Sequence, residues 1–195
     1  MMNDLEHLNP PADFEQLQAA TALIGFTMAC ETQTGSLLRT LAASKPASRF
    51  MEIGTGTGIS ACWILDGMDS RSTLISIEQD ERANGVAKAH LGHDPRVNFI
   101  TGNAEDFLKN PNHLPFDFIF ADTFPGKFYL RDEALKLLNP GGLYIVDDLL
   151  PQPTWPENHQ LNVTSLIAAL ENHPDLHITK LHWASGIIIA TKRSH

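Results

Sequence analysis

Eleven residues, Phe50-Met51-Glu52-Ile53-Gly54-Thr55-Gly56-Thr57-Gly58-Ile59-Ser60, constrain the fold more than any other stretch of the chain. An apolar strand carries an acid near its end, three glycines follow at alternate positions, and an apolar helix begins. Glycine at these positions strips side chains from one edge of the turn and permits positive φ. The free N–H groups of the following helix point back at the turn, which suits an anionic ligand group. Such a strand–turn–helix brings backbone close to a ligand and reads as a nucleotide-type cofactor site.

The rest of the chain repeats the unit. Strands are expected at 49–53, 73–78, 97–101, 116–121 and 143–146, with helices at 58–67, 81–91, 104–109, 130–138 and 160–172 between and after them. Pro140-Gly141-Gly142 reads as a tight turn into the fifth strand. Two closing β-rich runs, 176–183 and 186–191, read as a hairpin. Before the first strand, apolar residues at helical spacing predict a helix from Phe14 to Thr27, and a second helix is expected from Gly35. Alternating βα units imply a mostly parallel sheet covered on both faces, so the fold class is α/β. No repeat or second-domain boundary interrupts the 195 residues. The expected organisation is one domain, with an N-terminal arm and helix at 1–28 and a core at 30–195.

In open α/β sheets, ligands sit beyond the carboxyl ends of the strands. Glu52, Glu78, Asp122, Asp147 and Asp148 each end or follow a predicted strand. A phosphate-rich ligand would be repelled by acids at that rim. The dinucleotide fingerprint is met only in a shifted register, Gly56-x-Gly58-x-x-Ala61, which leaves Glu52 and Gly54 without a role. An acid just before the glycines suits a cofactor with an amine and a sulfonium, S-adenosylmethionine. Glu78, 24 positions after Gly54, can accept ribose hydroxyls in either kind of site. Gly102-Asn103-Ala104-Glu105 can contact an adenine edge, or Asn103 can simply cap a helix.

The ordered marks Glu52-Ile-Gly-Thr-Gly-Thr-Gly-Ile-Ser60, Ile77-Glu78, Gly102-Asn-Ala-Glu105, Phe116-Asp-Phe-Ile-Phe-Ala-Asp122, Ala134-Leu-Lys-Leu-Leu-Asn-Pro-Gly-Gly142 and Val146-Asp-Asp148 resemble a known family. It is the S-adenosylmethionine-dependent O-methyltransferases of the catechol and caffeoyl-CoA type. The resemblance covers roughly 31–150 and implies a Rossmann-like class I fold, seven strands in the order 3-2-1-4-5-7-6. It implies that Glu52, Gly54, Gly56 and Ser60 hold the methionine part, with Thr55 and Gly58 in the same loop. Cys30 and Glu31 would lie at its amino-acid end. Glu78 would hold the ribose, Gln79 would pack on the adenine, Ala104 and Glu105 would line it, and Asp122 would border the cofactor.

The resemblance also implies a divalent metal, usually Mg²⁺, on Asp122, Asp147 and Asp148. Hard oxygen ligands suit such an ion, which would align an acceptor hydroxyl and lower its pKa. The other reading is that these acids cap helices or serve the cofactor alone. The chain departs from the family pattern twice. The lysine usually found three residues after the first acid, the candidate base, is displaced to Lys127 by Pro125-Gly126, and Asp148 replaces the usual Asn. Lys127 either reaches the site by another path or is a solvated loop lysine.

In the long Pro-rich loop 149–159, with Pro151, Pro153 and Pro156, Trp155 reads as packing and His159 as solvent-facing. Cys62 reads as structural. The formal net charge of −9 gives no basic footprint for nucleic acid or an anionic membrane. Residues 1–13 lack the apolar run of a signal peptide, so a cytoplasmic setting is expected. The partner expected is a small-molecule acceptor, and a homodimer stays open. Two alternatives stand beside methyl transfer: an NAD(P)-dependent oxidoreductase, and a non-catalytic cofactor-binding protein with a degenerate site.

Overall fold

The computed structural model describes residues 3–110, 112–152 and 155–194. Pro153 of the Pro-rich loop lies outside them. Seven strands form one sheet: β1 (Arg49–Ile53), β2 (Thr73–Glu78), β3 (Val97–Thr101), β4 (Phe116–Ala121), β5 (Leu138–Val146), β6 (Leu176–Leu181) and β7 (Ile187–Lys192). Their order is β3-β2-β1-β4-β5-β7-β6, as expected. The first five pair in parallel, while β7 runs antiparallel to both β5 and β6.

Both faces of the sheet are buried, and alternate residues of each central strand serve the two sides. Phe50, Phe118, Phe120, Leu143 and Ile145 enter one core with α1 (Phe14–Leu23), α2 (Thr32–Ala43), α3 (Ile59–Gly67) and α4 (Glu81–Leu91). Met51, Ile53, Ile119, Ala121, Tyr144 and Val146 enter the other, with α5 (Ala104–Leu108), α6 (Arg131–Lys136) and α7 (His159–Glu171). Each fully buried side chain of this size stabilises the fold by about 1.5–3 kcal/mol. Cys62 is buried in the first core, in keeping with a structural role. No helix among the described residues is long and apolar enough to cross a membrane.

The helix expected at 130–138 is Arg131–Lys136, and the strand expected at 176–183 ends at Leu181. Three further boundaries differ from the sequence expectation, each for a physical reason. First, α1 ends at Leu23 and does not run to Thr27. Gly25 adopts φ +68°, its N–H donates to the Ala22 carbonyl at 3.0 Å, and the Phe26 N–H donates to Thr21 at 3.2 Å. This pair of bonds is a Schellman stop. It turns the chain so that residues 24–31 run as an irregular strap. Second, α2 begins at Thr32, with Gly35 inside it. A Cβ at Gly35 would lie 2.3 Å from Trp63 Cδ1, so this glycine is a notch for a buried indole, not a helix start. Third, β5 begins at Leu138 and carries Pro140-Gly141-Gly142 within it as an irregularity. Leu138 pairs with Phe116 and Leu143 with Phe118, so the residues between bulge out of register.

Candidate functional site

Three adjoining cavities open beyond the C-terminal ends of β1, β2, β4 and β5. The central one, about 250 Å³, is built by the glycine turn, the tip of β2 and the strap. Gly54 leaves β1 with φ +100°, and its N–H and that of Thr55 donate to the Ile77 carbonyl at 2.9 and 3.2 Å. A Cβ there would lie 2.9 Å from the Asp122 carbonyl oxygen. The Gly56 N–H donates to Glu78 Oε2 at 2.8 Å, and the Asp80 N–H donates to Oε1 at 2.9 Å. Phe26, thrown forward by the Gly25 stop, closes over Gly56: a Cβ on that glycine would meet the ring at 3.0 Å. Thr55, Ser60, Gln79, Asp122, Thr123 and Cys30 also line it, and among the described residues no lysine, arginine or histidine does.

Gly58 and Glu52, expected at the cofactor, do not line this cavity. Gly58 starts α3 at φ +93° and fits against α4, where a Cβ would lie 2.9 Å from Ala87 Cβ. Glu52 is fully buried behind the loop. One of its oxygens accepts from the Ser76 hydroxyl, which also bonds Thr55 Oγ1 at 2.5 Å, and its Oε1 has no partner. Burial pushes the Glu52 carboxyl up from 4.5 to about 7, against the pull of the Ser60 and Ser76 hydroxyls.

That shift has a definite sign. A carboxyl held above its unfolded value costs nothing below about pH 4.5; the cost grows up to about pH 7 and then levels. Each pH unit in that window is worth at most about 1.4 kcal/mol. Glu52→Gln is therefore expected to exceed the parent in stability by about 1–3 kcal/mol at pH 8, with the gap closing towards pH 4.5. Urea unfolding at both ends of the range measures it, and a pH-independent difference would overturn it.

The second cavity, about 300 Å³, shares Gly54, Glu78, Gln79 and Thr123 with the first and is walled by Gly102, Asn103, Ala104, Glu105 and Tyr129. Asn103 Oδ1 accepts from the Glu105 N–H at 2.9 Å, so it does cap α5. The Tyr129 hydroxyl donates to Glu105 at 3.0 Å and ties the β4–α6 turn to this wall.

The third cavity, about 480 Å³, shares Met28, Ala29, Cys30, Asp122 and Thr123 with the first. Glu31, expected at the cofactor, lines this cavity and not the central one. Asp122, Asp147 and Asp148 face it from the ends of β4 and β5. Asp147 is buried, and its Oδ1 accepts from the Ser185 hydroxyl and, at 2.8 Å, from the Asp148 N–H. Asp122 Oδ1 is sealed from solvent and has no partner. Burial first, and then the Asp147 charge, raise the Asp122 carboxyl well above the usual range; burial raises Asp147 too. Cys30, beside these acids, is held as a thiol, raised by burial and by the carboxylates. The three acids do not converge: among the described residues no three His, Cys, Asp or Glu side chains are arranged to hold a metal ion. The residues as placed do not fit a divalent cation.

His159 is where sequence reasoning fell short, and Lys127 is where it left two readings open. Lys127 is not a solvated loop lysine; it is 3% exposed and lines the acid cavity. His159 is not solvent-facing; it is 7% exposed at the first turn of α7. Trp155, Phe128 and Phe124 surround its ring at centroid distances of 4.6, 5.1 and 5.7 Å. Trp155 packs on the core as expected, and also lines the cavity. Burial and the Lys127 charge lower the His159 imidazole, which leaves it neutral, and its Nδ1 has no partner. Phe124 and Phe128 flank Lys127 in the sequence, and that aromatic pair was the one available sign of an enclosed pocket.

Comparison with known proteins places this geometry. A family model described as a methyltransferase domain matches residues 51–149. A protein of Mycolicibacterium vanbaalenii named "Putative O-methyltransferase" is 32% identical over 117 residues, covering 57% of this chain and 52% of that protein. The chain thus matches about half the length of such curated relatives. Among solved structures, the O-methyltransferase TomG from Streptomyces achromogenes, in complex with SAM, aligns at a TM-score of 0.83 and 23% identity, covering 98% of this chain and 94% of its own. An O-methyltransferase from Bacillus cereus, in complex with SAH, aligns at 0.84 and 23% identity, covering 97% and 94%. At these identities the structural likeness speaks for the fold.

Proposed function

Because the chain belongs to the methyltransferase-domain family, whose model matches residues 51–149, we propose that it transfers a methyl group from S-adenosylmethionine to a hydroxyl of a small molecule. The observation that carries the reading is the shared wall. Asp122 and Thr123, with Met28 to Cys30, border both the glycine-turn cavity and the acid-lined one, so a donor and an acceptor would meet there. The donor's methionine part would lie along Gly54, Thr55, Gly56 and Ser60, with Cys30 at its amino-acid end. Its ribose would face Glu78, and its adenine would lie in the second cavity against Gln79, Ala104 and Glu105. Glu52 would act from behind the loop, as a buried charge beneath the donor's cationic end.

The chemistry is an in-line displacement. The acceptor oxygen forms a bond to the methyl carbon as the carbon–sulfur bond breaks, and the electron pair of that bond leaves the sulfonium as a neutral thioether. The hydroxyl proton passes to Asp122, whose proton affinity is raised by burial and by Asp147. The protein's main contribution is to hold the two partners aligned and away from water. Trp155, Phe124 and Phe128 suit an acceptor with an apolar body. Metal assistance was the finer expectation; since the acids do not converge, no step is routed through an ion.

The nicotinamide alternative loses its support. A pyrophosphate in the central cavity would face Glu78, Asp80 and Asp122 with no basic residue, and Gly58 of the shifted register serves helix packing. Calorimetry with S-adenosylmethionine, followed by a labelled-methyl screen of small hydroxylated acceptors, tests the proposal. Micromolar binding with label transfer is expected. No binding at millimolar cofactor would sink it, and binding without transfer to any acceptor would leave the non-catalytic reading in its place.

A further inference from the structure

We infer that Lys127 is a resident cation, standing in the acid cavity in place of a divalent metal and offering its ammonium to the acceptor oxygen. The inference rests on the proposed methyl transfer for its use, but on geometry for its content. A buried ammonium is costly unless charges or hydrogen bonds compensate it. Lys127 is 3% exposed, yet among the described residues its Nζ makes no hydrogen bond and no ion pair. Its Nζ lies over the ring of Phe128, 5.2 Å from the centroid. What offsets the burial is the field of the carboxylates in the same cavity, not a direct bond. The three N–H donors of Lys127 make no bond to the described residues, and Lys127 lines the cavity they can serve.

The turn that holds Lys127 is anchored, so the placement is built in. Gly126 adopts φ +79°, and a Cβ there would lie 2.6 Å from Ile53 Cδ1. Its N–H donates to the Tyr129 carbonyl at 2.7 Å, and its carbonyl accepts from the hydroxyl of buried Tyr144. Residues Pro125 and Gly126, which displace the lysine in sequence, are therefore what returns its side chain to the cavity. The Lys127 charge is felt at Asp122, at Asp147 and at His159, where it favours the less protonated form of each. With a cation already present, the three acids have no need to converge on an ion, and they do not.

The arrangement also fits the step. As the hydroxyl loses its proton, negative charge gathers on the acceptor oxygen before it attacks the methyl carbon. A fixed ammonium in a partly enclosed cavity stabilises that charge without having to reorganise. In this arrangement Lys127 serves as a fixed charge, and the hydroxyl proton passes to Asp122.

The test uses Mn²⁺ alone as probe, read by electron paramagnetic resonance on the full chain, with cofactor calorimetry on the same samples. The parent is expected to take up no Mn²⁺ at about 1 mM, and Lys127→Arg, which keeps the charge, should match it. Lys127→Ala, with Lys127→Met as a second variant should the first fail to fold, is expected to gain Mn²⁺ affinity at least tenfold, and Asp147→Asn in that background should abolish the gain. Label transfer by the parent is expected to be unchanged by a chelator. Mn²⁺ uptake by the parent would overturn the inference, and so would its absence from both uncharged variants. Loss of cofactor binding in the parent would instead count against methyl transfer, while the Mn²⁺ result would still be readable.

Discussion

Glu78→Ala is expected to weaken S-adenosylmethionine binding by roughly 10- to 100-fold, the usual range for hydrogen bonds to a charged group. The carboxylate does two things at once. Its oxygens accept from the Gly56 and Asp80 N–H groups, which sets the mouth of the glycine turn against the tip of β2. It also faces the two cavities proposed for ribose and adenine. On the proposed reading, alanine would remove the acceptor for the ribose hydroxyls, and it frees the Gly56 amide. Glu78→Gln keeps one carbonyl acceptor and should fall between alanine and the parent. Calorimetry gives the dissociation constants, with circular dichroism to confirm that the variants are folded. A constant within threefold of the parent for Glu78→Ala would show that the ribose assignment is wrong.

Gly54→Val is expected to lower the melting temperature by about 5–15 °C and to abolish cofactor binding. The residue stands at φ +100°, a conformation that costs an L-residue about 1–2 kcal/mol and a β-branched one more. A Cβ would also press to 2.9 Å on the carbonyl oxygen of Asp122, which is backbone and cannot rotate away. Relieving that contact would part β1 from β4 at their ends and shift Asp122 itself. Overpacking of this kind adds about 1–3 kcal/mol. For a chain of this size each kcal/mol is worth roughly 2–4 °C. Thermal unfolding followed by circular dichroism measures the shift, and a midpoint within about 1 °C of the parent would contradict it.

The sheet order and the glycine turn were legible because they rest on local pattern. Apolar strands alternate with helical spacing, and the family marks fall at strand ends in the right order. What escaped were features decided by partners distant in the chain. Gly25 sits in an apolar periodic run, where a single glycine reads as tolerated; it becomes a stop once the Thr21 and Ala22 carbonyls are capped. Gly35 looks like a helix start until the Trp63 ring is seen beside it. His159 is polar and follows a Pro-rich loop, and only the rings of Phe124 and Phe128 from another loop bury it. The acids could be assigned to one rim from strand ends, but their separations could not. That is why a shared metal is a fair expectation from the sequence, although among the described residues no three such side chains are arranged to hold an ion.

The strap that follows the Gly25 stop has a thermodynamic meaning. Met28, Ala29 and Cys30 border the central cavity on one side and the acid cavity on the other. On the proposed reading, donor and acceptor meet beside this one short stretch of backbone, a partition that both would touch. Linkage then makes their affinities reciprocal: whatever factor the donor lends the acceptor, the acceptor returns to the donor. The demethylated product keeps the amino-acid end that would touch this partition. Its departure would therefore be tied to the acceptor's, and turnover would be governed from a segment that carries none of the chemistry.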